Sequence, residues 1–513
     1  MKNDEEDTKI DLSLEIKDFG PITGGKLRIK HLTLFIGPNN SGKSYAAMLI
    51  HSLFKVGGSA ELGMRIPFGF RGRPPLFRPF ESGRSWRKND TKELQSFLKG
   101  EIETLKEGNS IEIPDSLVEK ITNAVSDKIY EERLGKEIVS SYSAPLGDLV
   151  RIGARSFLLK IGFNSEMVSL GIHKNNLTVT EYPSIDFKIK IEPIDGTEID
   201  WITAVNESGK YRIIQANKDL IEIEDDETRR ALSILINEIL NEILRICIQE
   251  VAKKLDAPSY YLPAARSGIL QSHKLAAAGM MRKIPLIGVE KMDIPKFSGV
   301  VAEFMASILD LPEDKGTFYS LAEEFEKELI KGEIIVQTLD SYTYPEIQYR
   351  FSDTNIPLHR SSSTVSELAP LILYLKYIVE PRSILIIEEP EAHLHPKNQR
   401  ILARFLVKLI RRGVNIIITT HSEYLLEQLS NFIMIGKIEA KDRVERYGYD
   451  EEDYLTIDDI AAFVFDMDDK SGGSTIKEVE ITAEDGISQE EFVKIQDVLY
   501  DEIIGLRKDL NVE

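Results

Sequence analysis

The chain has 513 residues, with 64 basic and 84 acidic side chains, a formal net charge of −20 and 42% apolar residues. The length exceeds one ordinary core, so several subdomains or one domain carrying an insertion are expected. The acidic balance repels phosphates and excludes a general nucleic-acid coat, so any such contact has to be local. One cysteine, Cys247, excludes a disulfide framework and a C-x-x-C metal hook, and points to a reducing compartment.

The N-terminus, Met1 to Asp7, is acidic and lacks the basic-then-apolar order of a secretion signal, and no run of 18 apolar residues occurs. The expectation is a soluble cytoplasmic protein with no membrane segment. Ile10, Leu12, Leu14 and Ile16, then Leu27 and Ile29, alternate in strand fashion around Gly20-Pro21 and Gly24-Gly25. They lead into Leu32, Leu34, Phe35 and Ile36, a buried strand ending in Gly37-Pro38-Asn39-Asn40-Ser41-Gly42-Lys43-Ser44, which fits G-x-x-x-x-G-K-[ST]. In this pattern backbone N–H groups curl around phosphates, Lys43 reaches the β/γ oxygens and the Ser44 hydroxyl ligates Mg²⁺. The helical spacing of Ala46, Ala47, Leu49, Ile50, Leu53 and Phe54 then aims a helix N-terminus at those phosphates.

Residues 64–88 interleave Arg65, Arg71, Arg73, Arg78, Arg84, Arg87 and Lys88 with Phe68, Phe70, Phe77, Phe80 and Trp86 in a Pro- and Gly-rich loop. Such a loop either packs locally, binds a protein partner, or meets DNA by phosphate contacts and base stacking. Strands are expected near 157–163, 168–172, 177–179, 187–191 and 211–214, with Asn175-Asn176 at a turn. From Asp226 to Leu255 the period becomes helical, through Leu232, Ile236, Ile239, Ile243 and Ile246, giving a helix about 45 Å long that is either a buried bundle member or a short arm. Tyr260 to Gly268 reads as a strand ending in a loop, followed by helices over 295–331 and strands near 334–338 and 345–351.

The second half of the nucleotide site lies late in the chain. Ile384 to Ile387 form an apolar strand ending in Glu388 and Glu389, the first suited to hold Mg²⁺ and the second to polarise the attacking water. Val414 to Thr420 form another buried strand, ending at His421, whose imidazole can bond the γ-phosphate. Arg360-Ser361-Ser362-Ser363-Thr364 opens a helix whose hydroxyls and free N–H groups suit a phosphate or an ordinary N-cap. A helix after Pro396 carries Lys397, Arg400, Arg404, Lys408 and Arg411 on one stripe, expected as a solvated face or a second DNA contact. Ala462 to Asp468 ends in D-x-D, a pattern shared with metal-dependent nucleases. Without the earlier strand-and-glutamate of such a site it reads instead as one arm of a hairpin that turns at 471–473.

Taken together, the loop at Gly37, the Ser363 helix start, Glu388-Glu389-Pro390-Glu391-Ala392-His393-Leu394-His395-Pro396 and Thr419-Thr420-His421-Ser422 resemble the ABC-type ATPases of the SMC/RecF-like branch. They are similar to the ATPase core of the overcoming-lysogenization-defect nucleases and related prokaryotic defence ATPases. The resemblance covers about residues 10–56 and 355–437. It implies an α/β P-loop fold whose ATPase head is split between the chain ends, with an inserted helical and β region. The expected division is an N-terminal lobe over 1–225, a helical insertion over 226–340 and a C-terminal lobe over 341–513.

The resemblance makes Gly37 to Ser44 the Walker A loop, Glu388 the Walker B acid, Glu389 the catalytic glutamate, Ala392 to Pro396 the D-loop and His421 the switch histidine. Ser363 becomes the signature serine that touches the γ-phosphate of a second subunit, although Thr364 stands where relatives carry glycine. Gln271 is a candidate Q-loop residue. The implied activity is Mg²⁺-dependent ATP hydrolysis in a dimer, with DNA or a separately encoded nuclease as further partners. A self-contained nuclease, a non-hydrolysing scaffold and a transporter subunit are the alternatives.

Overall fold

The computed structural model describes residues 10, 12–61, 92–163, 166–184, 187–194, 203–205, 211–217, 228–252, 255–271, 297–337, 346–468 and 472–509. β1 (Leu12–Phe19) and β2 (Ile22–Ile29) form an antiparallel hairpin that leads to β3 (Leu32–Ile36) and helix α1 (Lys43–Glu61). The loop expected at 64–88 lies outside the described residues.

Residues 92–142, for which the sequence reading offers no element, are mainly helical: α2 (Lys92–Lys106), the short strand β4 (Ile111–Glu112), α3 (Asp115–Ser126), a π-helical stretch (Asp127–Leu134) and α4 (Gly135–Tyr142). The helical signal is present: Leu94, Leu98, Ile102 and Leu105 recur at one face of α2, and all are buried. β5 (Leu158–Phe163), β6 (Glu166–His173) and β7 (Asn176–Glu181) continue as an antiparallel meander, its turn held by Lys174 and Asn175 at φ of 48° and 66°. β8 (Lys188–Ile194), β9 (Thr203–Val205) and β10 (Tyr211–Asn217) join β4 in a small second sheet of order β4-β8-β10-β9.

The long helix α5 (Thr228–Ala252) buries Ile236, Ile239, Ile243, Ile246 and Cys247 and packs against α1, α2 and α3, so it is a bundle member and not an arm. Burial pushes the Cys247 thiol up to about 12, which leaves it protonated and inert. β11 (Ser259–Leu262) follows, then α6 (Gly299–Leu309), α7 (Tyr319–Leu329) and a three-stranded sheet of β12 (Glu333–Gln337), β13 (Glu346–Phe351) and β14 (Thr354–Pro357).

The last third supplies α8 (Ser363–Tyr377), β15 (Ile384–Glu388), α9 (Pro396–Arg411), β16 (Asn415–Thr420), α10 (Glu423–Ile435), α11 (Ala440–Tyr447), β17 (Ile460–Asp468), β18 (Gly473–Glu478) and α12 (Glu490–Asp509). An eleven-stranded sheet of order β11-β15-β16-β3-β17-β18-β2-β1-β5-β6-β7 gathers strands from the whole chain. The run from β11 to β17 is parallel, whereas β2, β1, β5, β6 and β7 pair antiparallel in succession, and the β17–β18 hairpin joins the two halves.

The parallel strands are buried on both faces, which is why they read as unbroken apolar runs. Leu34, Leu385, Ile387, Ile416 and Ile418 enter one core, while Phe35, Ile384, Ile386 and Ile417 enter the other. The period of two thus separates the cores on the two faces of one sheet. Among the described residues no helix is long and apolar enough to cross a membrane.

Candidate nucleotide-binding and hydrolysis site

Register places the site. Ile36 of β3 pairs with Thr420 of β16 and Val464 of β17, Glu388 of β15 pairs with Thr419, and Leu262 of β11 pairs with Ile387. The next residues, Gly37, His421, Glu389 and Pro263, therefore leave the sheet from one edge. Carboxyl ends of parallel strands are where open α/β sheets bind ligands.

The loop after β3 is shaped by residues without room for other conformations. Gly37 has φ of 139°, and a Cβ there would stand 2.6 Å from the Phe465 carbonyl oxygen; Gly42 has φ of 95° and faces Pro21 and Ile22. Asn40, at φ of 63°, takes a left-handed conformation that its short amide tolerates. Ser41 is buried, donates to Pro38 O at 2.8 Å and accepts at its carbonyl from the Ser474 hydroxyl. Pro38, Asn39, Asn40 and Ser44 are exposed around this loop.

Lys43 opens α1 and lies inside the loop, 7% exposed, donating to Gly37 O at 2.9 Å and Pro38 O at 2.7 Å. Burial lowers its pKa to about 8, against the opposing pull of Glu389, Glu388 and Glu391. A polyanion on this loop would meet the ammonium together with the free N–H groups of the helix start.

The carboxylates sit at the end of β15 in three environments. Glu388 is buried, accepts from Ala264 N at 3.1 Å through Oε2, and leaves buried Oε1 without a hydrogen-bond partner. Glu389 is partly exposed and left-handed, with φ of 44°; its N–H is held by Thr419 O at 2.9 Å and Thr419 Oγ1 at 3.2 Å. Glu391 turns back to accept from Thr420 Oγ1 at 2.6 Å and His421 N at 2.8 Å, and burial raises its pKa. Burial, reinforced by the charge of Lys43 and opposed by Glu389, lowers the pKa of His421. The imidazole is therefore neutral near pH 7 and able to donate from one nitrogen while accepting at the other.

Ser363 opens α8 with an exposed side chain, and Ser362 caps the helix by accepting from Val365 N at 3.3 Å. Thr364 is engaged within its own chain: its hydroxyl donates at 3.2 Å to the carbonyl of His393, a residue at φ of 59°. Among the described residues no cluster of three or more His, Cys, Asp or Glu side chains could hold a metal ion. The donors present instead fit Mg²⁺, which takes one or two protein oxygens together with substrate phosphates and water: the Ser44 hydroxyl and the unpartnered Glu388 Oε1.

Sequence reasoning missed the residue that binds this edge together. Arg266, after β11, is 1% exposed and donates to Glu388 O at 2.6 Å, Glu389 O at 3.2 Å and Glu367 O at 3.1 Å. The only signal was the strand-and-loop pattern of 260–268. Gln271, the Q-loop candidate, is an exposed residue one helical turn further on.

The basic stripe of α9 is solvated only at its start, since the three cations after Arg400 are held in ion pairs within the chain. Arg404 pairs with Asp453 at 2.5 Å and Asp450 at 3.0 Å, Lys408 with Glu324 at 2.6 Å, and Arg411 with Asp459 at 2.8 Å. Three of its cations hold α9 to neighbouring segments, while Arg400 donates to Gln428 at 2.8 Å and Lys397 is exposed. The D-x-D stretch forms the expected hairpin arm: β17 pairs with β18, and Asp466 forms an ion pair across it with Lys477 at 2.5 Å.

The family model of the AAA ATPase domain matches residues 12–426. No curated protein matches the chain. Among solved structures the chain is similar to an Smc head domain bound to the C-terminal domain of ScpA, from Pyrococcus furiosus, with 11% identity over 95% of this chain and 98% of that one and a TM-score of 0.37. It is also similar to the SMC head domain from Thermotoga maritima, with 11% identity over 92% and 100% and a TM-score of 0.32. The recombination mediator RecF is a third, with 10% identity over 91% and 99% and a TM-score of 0.30. The P-loop, its partner carboxylates and the match over most of the chain agree: this protein belongs to the AAA ATPase domain family and is an ATP hydrolase.

Proposed function

We propose that the protein hydrolyses ATP as an ABC-type head of the SMC/RecF-like kind, with ATP held between two copies. The observation that supports this most directly is the common edge from which Gly37, Glu389 and His421 emerge. Gly37, Pro38, Asn39, Asn40, Ser41 and Gly42 wrap the phosphates, Lys43 meets the β/γ oxygens, and Ser44 and Glu388 hold Mg²⁺. The metal, when bound, neutralises charge developing on the phosphate oxygens. Glu389 polarises the attacking water, and neutral His421 bonds the γ-phosphate. Ser363 of the opposing copy completes the pocket. In this reading 1–225 and 341–513 build the head and 226–340 is the insertion, which hands β11 and Arg266 back to the head sheet, and the biological setting is DNA-associated or antiviral, similar to the overcoming-lysogenization-defect ATPases, with the effector nuclease on another chain.

Sedimentation with each nucleotide tests the reading. Glu389→Gln should stop hydrolysis, retain ATP and shift towards a dimer with ATP but not ADP, because a ligand shared by two copies stabilises their pairing. Adding Ser363→Arg should undo the shift. An assembly of Glu389→Gln that ignores ATP would remove the shared-nucleotide arrangement, whereas a shift surviving in the double variant would remove only Ser363.

A further inference from the structure

Arg266 is one of the largest fully buried side chains among the described residues and lies where β15 ends in Glu388 and Glu389. Its guanidinium makes four hydrogen bonds, all to main-chain oxygens: Pro263 O at 3.4 Å and Glu388 O at 2.6 Å from Nη1, Glu367 O at 3.1 Å from Nε, and Glu389 O at 3.2 Å from Nη2, which also stands 3.1 Å from Glu367 Oε1 as an ion pair without a hydrogen bond to it. Three segments converge on it: the turn after β11 from which it opens a helical run, the end of β15, and the second turn of α8. Glu367 is equally buried and supplies the counter-charge.

A buried ion pair is weak evidence for stability, since apolar replacements of similar volume commonly match it. What the guanidinium does here is more specific. Glu389 occupies left-handed backbone space, a conformation that costs roughly 1–2 kcal/mol for a residue with a Cβ. Its N–H side is pinned by Thr419, and its carbonyl side is pinned by Arg266. The same fork holds the preceding carbonyl, so the side chains of Glu388 and Glu389 depart from a main chain fixed on both flanks.

We propose that Arg266, anchored by Glu367, is a positioning residue for hydrolysis: it sets the backbone of Glu388 and Glu389 so that the Glu389 carboxylate reaches the attacking water. This rests on the proposed role of Glu389. A lysine cannot replace the fork, because three donors at one point cannot span four carbonyl oxygens on three segments.

ATP affinity, turnover and thermal midpoint are measured for Arg266→Lys, Glu367→Gln and the paired Arg266→Met/Glu367→Leu, beside Glu389→Gln. The expected result for the single variants is an ATP Kd within threefold of the unsubstituted protein and a kcat lowered about 100-fold, the scale of a misplacement near 1 Å. The paired variant removes both buried charges at similar volume, so its midpoint should recover while kcat stays low. If kcat recovers with the midpoint, the pair is only structural and the inference falls. If the paired variant does not fold, the Kd and kcat of Glu367→Gln decide alone. If Glu389→Gln is inactive while Arg266→Lys turns over normally, only the role of Arg266 is lost; if Glu389→Gln turns over normally, the assignment of Glu389 fails and takes this one with it.

Discussion

His421 Nε2 lies 3.7 Å from Glu389 Oε1, so the two groups assigned to the γ-phosphate and its water face each other across the ends of adjacent strands. The separation is within ion-pair range but longer than a hydrogen bond, and the opposite effects of Lys43 and Glu389 on the imidazole tie its protonation to both motifs.

That coupling predicts a titration. With a folded pKa below the ordinary 6.5, the neutral imidazole is favoured by folding, and the unfolded chain takes up the proton first as pH falls. The stability tied to His421 is thus complete above 6.5 and declines as pH drops from there through the folded value. The NMR titration of His421 in nucleotide-free protein should have its midpoint below 6.5, move up in Lys43→Ala and move down in Glu389→Gln. A midpoint unmoved by either change would break the electrostatic link.

Lys43 gives a second proton signature. Its folded pKa of about 8 lies below the ordinary 10.5, so between these values the unfolded chain binds more protons and the fold gains stability as pH rises. ATP phosphates favour the charged ammonium, so ATP binding near pH 8 to 9 should take up protons, seen as a buffer-dependent calorimetric enthalpy. Lys43→Ala should abolish this uptake and weaken ATP binding by roughly 1.5–3 kcal/mol, about tenfold to a hundredfold. Unchanged affinity and turnover would remove the Walker A assignment.

The ion pairs along α9 predict a stability effect without a nucleotide effect. Asp453 is fully buried against Arg404, with Oδ1 lacking a partner, and Arg404→Ala would leave it only the N–H of Asp450. The expected loss is roughly 3–5 kcal/mol of unfolding free energy, with the ATP Kd of the folded protein unchanged. Chemical denaturation with and without ATP measures both quantities. A variant of normal stability and weakened DNA binding would return this helix to the nucleic-acid reading.

The basic and aromatic stretch at 64–88 is the remaining nucleic-acid candidate. If its guanidinium groups meet phosphates, Arg71→Ala/Arg73→Ala/Arg78→Ala should weaken DNA binding and flatten its salt dependence by about 0.7 to 0.9 log units of slope per lost contact. Binding with an unaltered slope would assign the stretch to packing or a protein partner.

Local chemistry carried much of the site in the sequence. The glycines of the loop have conformational and steric requirements that can be read from residue type, and strands buried on both faces show as apolar runs ending in Glu388 and at His421. The long period over 226–255 likewise marked α5, but the choice between arm and bundle needed its neighbours α1, α2 and α3.

Only the tertiary structure decided what those elements join. Strand order is a long-range property: β3 lies between β16 and β17, hundreds of residues later, and β11 becomes an edge strand from the middle of the chain. For the same reason, the basic stripe of α9 looked free until the carboxylates of 324, 450, 453 and 459 folded onto it. Arg266 follows the same logic: an arginine is ordinarily a surface charge, and its role arises only when burial removes water and leaves the carbonyl oxygens of Pro263, Glu367, Glu388 and Glu389 as its hydrogen-bond acceptors.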